Sequence, residues 1–182
     1  FYPASTSNIY SVALSLEKIN RLGIKGLDFK DIMLTDSSYA GQTAVKSDST
    51  AANLRPSIAH YIKKVLVTSD NDGHNRLYEF VGQKDFNEQL KSRGYANTRI
   101  THRLSVPLST EQNKHTNAIS FYDRQTNALL YEQKPAANTL DYTFKGSIPL
   151  GKGYVKGEET INKPMEFNEK NFSSLEDLHH II

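Results

Sequence analysis

The chain has 182 residues, with 22 Lys and Arg against 20 Asp and Glu, so its formal charge is +2. Near neutrality argues against a nucleic-acid partner held by a basic field. The absence of Cys excludes disulfides and thiolate metal sites, and no apolar run approaches the roughly 18 residues of a membrane-spanning helix. Ten Tyr and eight Phe with so little net charge argue for a folded chain rather than a disordered one, and the length suits one domain.

The first periodic segment follows Pro3. Ile9, Val12, Ala13, Leu16 and Ile19 recur at helical spacing, Ser5 can cap the segment and Gly23 ends it, which predicts a buried helix from about Ser5 to Arg21. Residues 23–56 carry mostly turn chemistry. Pro56-Ser57 opens a second helix with Ile58, Tyr61, Ile62, Val65 and Leu66 apolar, and this helix stops in the polar run Thr68–Gly73. A third helix is expected from about His74 to Val81, closed by Gly82, and a fourth from about Lys84 to Arg93.

After Gly94 the texture changes. Thr98–Leu104 alternates like a strand, and Ile119–Tyr122 with Ala128–Tyr131 reads as a hairpin around Asp123–Asn127. Residues 133–165 read as irregular. Ser174, with Asp177 at capping-box distance, begins a last helix that runs to the end of the sequence.

Two motifs carry chemistry. Ser5 lies at the start of the first helix, where the helix dipole and free backbone N–H groups favour a nucleophile whose attack creates an oxyanion. The same position suits a simple N-cap. Ser69-Asp70-Asn71 lies in a tight polar turn between two helices and offers a hydroxyl for proton relay and an amide to grip a carbonyl. By itself it is also an ordinary helix-linking turn, but the two motifs stand 64 residues apart, each leading into a helix.

The segments Phe1–Thr6, Leu16–Asn20, Tyr39–Thr43, Ile58–Ile62 and Ser69–Phe80 together resemble bacterial serine hydrolases related to class A β-lactamases and penicillin-binding proteins, closest to uncharacterised Bacteroidetes-type members. The likeness is strong over residues 1–104 and weaker beyond. It implies an α+β fold of the β-lactamase/transpeptidase type, with a helical lobe over residues 1–104 and an antiparallel sheet flanked by helices. Residues 105–182 then hold the hairpin, the irregular segment and the start of a further helix, and the domain is partial, needing strands before Phe1 and after Ile182.

The resemblance also implies roles. Ser5 matches the acylated nucleophile, Ser69 the proton shuttle and Asn71 the amide that binds substrate; Asp70 ties the loop and Tyr39 lies at the cleft rim. The family's first motif is Ser-x-x-Lys, but its Lys position is Asn8 here. An amide is never basic, so the base that a serine hydroxyl needs at neutral pH is missing. A Glu that activates the deacylating water is expected near His102–Pro107, where there is none; Glu111 is the nearest. The Lys-Thr/Ser-Gly motif is expected beyond Ile182.

These features imply two alternatives, an impaired serine hydrolase acting on an amide or β-lactam carbonyl, or an inactive relative that binds peptidoglycan-like or peptide ligands. Either expects a small-molecule or peptidoglycan-like ligand, no cofactor and no metal, and a location that is periplasmic, secreted or lipid-anchored. Arg99 and Arg103 are read either as binders of a substrate carboxylate or as strand-surface charges. His60, His74 and His102 are not at metal-ligand spacing, and His179-His180 can belong to the last helix or to a junction.

Overall fold

In the computed structural model, which describes residues 1–181, the first helix is α1 (Asn8–Leu22), preceded by a 3-10 turn over Ala4–Ser7. The N-cap of α1 is Ser7, and no side chain caps it, which corrects the expected cap at Ser5. Gly23 ends α1 in the left-handed region. The buried face also differs from the expected one: Ser7, Tyr10, Ser11, Leu14, Ser15 and Ile19 are buried, while Ile9, Val12, Ala13 and Leu16 are half-buried. Small side chains on the inner face let a neighbouring helix approach, and Ser7 and Ser11 satisfy their hydroxyls within the chain by donating to Ala4 O and Asn8 O.

The loop after α1 contains a strand the sequence did not reveal, β1 (Ile32–Thr35). Its apolar run is only three residues long, and its partner is remote: it pairs antiparallel with β2 (Ile119–Tyr122), which pairs antiparallel with β3 (Leu129–Gln133). The expected hairpin is therefore present as β2 and β3 in a three-stranded sheet.

Three more helices follow in sequence. α2 (Ile58–Thr68) is capped by Ser57, whose hydroxyl accepts from His60 N. α3 (Asn71–Val81) is buried from Gly73 to Val81 and is the central element. It starts three residues earlier than expected, because the polar run at 70–73 is a capped first turn rather than a loop. α4 (Gln83–Ser92) follows after Gly82 alone, whose φ of +84 suits a residue without a Cβ.

Two apolar clusters meet on α3. One gathers Ile19, Met33, Ile58, Tyr61, Val65, Leu77, Phe80, Ile119 and Phe121, joining α1, α2 and the sheet. The other gathers Tyr10, Leu14, Tyr78, Val81, Phe86, Leu90 and Ile100, joining α1, α3 and α4. Leu77 and Phe80 serve the first, Tyr78 and Val81 the second.

Residues 98–104 do not form the expected strand; one bridge, Arg99 to Phe172, is all the ladder they have. Side-chain amides take the place of a partner strand. Asn87 bonds both backbone groups of Ile100, Asn75 does the same for Leu104, and Asn171 takes Thr101 N and both backbone groups of His102. Burial along the segment does not alternate strictly, since Ile100-Thr101 and Arg103-Leu104 are each buried together, and Asn113 and Gln83 add bonds to Arg103 N and Thr101 O.

A short helix, α5 (Thr110–Lys114), carries a capping box between Ser109 and Gln112 that the sequence reading passed over. The segment expected to be irregular holds two small ribbons, β4 (Pro149–Leu150) with β7 (Met165–Glu166) and β5 (Tyr154–Lys156) with β6 (Glu159–Ile161). The last helix, α6 (Leu175–Ile181), has Ser174 Oγ accepting from Asp177 N. The Asp177 carboxylate does not close a reciprocal box; it accepts from Asn97 N and Thr98 Oγ1. The whole is an α+β fold. No helix among the described residues is long and apolar enough to cross a membrane.

Candidate functional site

Ser5 is exposed on the 3-10 turn that leads into α1. Ala4 before it has φ +43, unusual for a residue with a Cβ. The backbone N–H of Asn8 donates to Ser5 O, so the two residues are one tight turn apart. Both residues stand at the positive end of the α1 dipole.

Asn8 is 6% exposed. Its Nδ2 donates to Ser69 Oγ at 3.3 Å, across 61 residues of sequence, and its Oδ1 is buried with no partner. Ser69 sits where α2 ends, in the left-handed region at φ +55, with its N–H turned back to the last carbonyls of α2. That conformation reverses the chain and presents the hydroxyl to α1. Asp70 is the N-cap of α3: its Oδ1 accepts from Gly73 N at 2.6 Å and lies 3.5 Å from Lys64 Nζ. Gly73 permits the tight turn, because a Cβ there would stand 3.2 Å from Val65 and 3.3 Å from Tyr61 O on α2.

Asn71 opens α3, and its Nδ2 donates to Ser105 Oγ at 2.7 Å. Ser105 is itself at φ +56. It is one rung of a polar ladder along one face of α3, at helical positions i, i+4 and i+8. Asn71 holds Ser105, Asn75 holds both backbone groups of Leu104, and Glu79 holds the Arg103 guanidinium at 2.7 Å. Sequence reasoning missed Ser105. The available signal was the spacing by four of Asn71, Asn75 and Glu79 on a helix that also carries Leu77, Phe80 and Val81 of the core.

The structure thus joins Ser5, Asn8 and Ser69 through one turn and one hydrogen bond, with Asn71 two residues on. Tyr39 shares no hydrogen bond with them; its ring stacks on His115 with centroids 3.5 Å apart. The two arginines are neither free carboxylate binders nor strand-surface charges. Arg103, 4% exposed, donates to Glu79, His115 O and Asn117. Arg99 donates to Lys170 O and Asn168 O and lies over the rings of Phe144 and Phe172. Glu111 is exposed and paired with Lys114 and His115.

The histidines have different fates. His60 bonds Asp48 at 3.0 Å. His74, on α3, is fully buried with neither ring nitrogen partnered, and burial, with His102 nearby, holds its pKa down to about 3. His102 is also lowered by burial; its Nδ1 faces Arg103 O and its ring stacks on Tyr2. Among the described residues no three His, Cys, Asp or Glu side chains gather to hold a metal ion. Lys18, half-buried on α1, has its pKa lowered by burial to about 8 and donates to Phe80 O, Val81 O and Gln133 Oε1. Its protons are committed to closing the C-terminal end of α3.

The site therefore offers two hydroxyls and two amides around the start of α1 and the α2–α3 turn. The family that matches this chain is described as the beta-lactamase enzyme family, over residues 1–131. The match covers well over half of the sequence, and the chain belongs to that family. Its serine-hydrolase fold accords with the helices and antiparallel sheet described above. No curated protein and no solved structure matches the chain.

Proposed function

We propose that this member of the family is an acyl-accepting serine hydrolase whose turnover is impaired at Asn8. Ser5 Oγ adds to the carbonyl carbon of an amide or β-lactam, the C–N bond breaks, and the departing nitrogen takes a proton delivered through Ser69. The Ser5 N–H and an N–H from a downstream strand hold the oxyanion, and Asn71 bonds the substrate's amide group. Tyr39 lies at the rim. The substrate class is a β-lactam or a peptidoglycan-like peptide, which places the protein outside the cytoplasmic membrane.

The observation that carries this reading is the Asn8 to Ser69 hydrogen bond. It ties the residue one turn below Ser5 to the Ser-Asp-Asn turn, the two places where the family keeps its catalytic groups. The same contact explains the impairment. The group at the position of the motif lysine is an amide, which cannot take a proton, and a positioned base is worth roughly 100- to 10,000-fold in rate. No carboxylate stands in residues 102–107 to activate water, so an acyl adduct on Ser5 is expected to persist.

A second reading has its own support. With an amide at position 8, the site keeps its polar hydroxyls and amides but has no base there, which suits binding without chemistry. Incubation with a fluorescent penicillin followed by intact-mass measurement separates the two. An adduct in the wild type that disappears in Ser5→Ala supports acyl transfer. Saturable binding without an adduct overturns it in favour of the second reading.

A further inference from the structure

We infer that the face of the molecule between α2, the 46–55 loop and the β2–β3 turn is a binding groove for an extended anion carrying two or more phosphate groups. This does not depend on the chemistry of Ser5. Two basins of about 890 Å³ and about 570 Å³ share Ile32, Asn53 and Arg55 and so lie side by side along this face. Volumes of this size suit small-molecule ligands.

The wider basin is lined by Lys30, Arg55, Lys63, Lys64 and Arg124 against one carboxylate, Asp70. In a chain whose formal charge is +2, that concentration of cations is a segregation of charge, and it focuses potential in a concave site. Part of it is already neutralised: Arg124 pairs with Asp28, and Lys64 pairs with Asp48 and Asp70. Among the described residues, Lys30, Arg55 and Lys63 face no carboxylate within ion-pair distance. They are the groups left for a ligand.

The centre of the groove is built rather than merely exposed. Arg55 donates across it to Asn127 Oδ1 in the β2–β3 turn, which fixes the guanidinium between the two walls. The fork keeps further N–H donors for a phosphate, which it matches bidentately. The backbone on both sides is left-handed: Asn53, Leu54 and Asn127 all have φ between +54 and +61. At one end the groove is lined by Thr68 and Asp70, so it abuts the Ser69–Asn71 turn.

The test uses tripolyphosphate as probe and the full chain, with binding followed calorimetrically at low salt. Saturable binding is expected to weaken as salt rises and to weaken at least about tenfold in the Arg55→Gln/Lys63→Gln double variant, because two charge-assisted contacts are removed. Lys30→Gln is expected to weaken it less, and Lys91→Gln, on α4 and outside the groove, to leave it unchanged. All four side chains are exposed, and matched urea midpoints check that the variants fold. No saturation up to about 10 mM, or equal binding by the double variant, overturns the inference. Citrate binding as tightly as tripolyphosphate overturns the phosphate assignment.

Discussion

Lowering the pH is expected to destabilise this fold through His74. Its ring is fully buried on α3, both nitrogens lack partners, and it stacks against Tyr78 with His102 nearby. Its pKa is about 3 when folded against 6.5 when free. The folded value is depressed, so as the pH falls below 6.5 the unfolded chain takes up the proton first. Stability is lost from there down to about pH 3, below which both states are protonated. The slope is about 1.4 kcal/mol per pH unit, so the loss between about pH 7 and about pH 5 is about 2 kcal/mol. Asp48 also responds to acid: partial burial opposes it, but hydrogen bonds from Thr50, His60 and Lys64 hold its carboxyl below the usual range. Its contribution is lost at lower pH, below the ordinary carboxylate value of about 3.9. Urea unfolding of wild type and His74→Leu at both pH values isolates the histidine. The variant is expected to lose about 2 kcal/mol less than wild type over this interval. Equal losses would refute the argument.

Other perturbations have distinct signatures. Glu79 lies between Arg103 at 2.7 Å and Arg76 at 2.9 Å, all three nearly inaccessible. Glu79→Gln leaves two buried cations undercompensated and is expected to cost about 3 kcal/mol in urea unfolding; a loss below about 1 kcal/mol contradicts the ladder's structural weight. Asp70→Ala removes the N-cap of α3 and is expected to cost about 1 kcal/mol, with Asp70→Asn retaining most of it; an unchanged unfolding midpoint in Asp70→Ala is the contrary result.

Much of the fold was legible because local chemistry and tertiary structure agree. Gly23 and Gly82 end helices, Ser57 caps α2, and the β2–β3 hairpin carries its own turn. The failures share a cause, partners distant in sequence. β1 pairs along its length with β2, more than 80 residues on, and bridges Val45 and Ser57 on its other edge. The alternating run at 98–104 met asparagine side chains instead of a strand. The buried face of α1 carries Ser11 and Ser15 beside Tyr10, Leu14 and Ile19, and hydropathy spacing cannot register small polar residues in a packed interface. At the site, Ser5, Asn8 and Ser69–Asn71 were visible as motif positions. Ser105 was not, since its role is set by a left-handed backbone and by Asn71 rather than by its residue type.

The central claim, that Asn8 disarms a serine otherwise placed to react, is tested most directly by the acylation rate of Asn8→Lys against wild type, measured with a fluorescent penicillin. A lysine at that position, beside the hydroxyl of Ser69, is expected to speed labelling of Ser5 at least about 100-fold. Labelling no faster than wild type, in a variant that folds normally and still binds the penicillin, would contradict the claim.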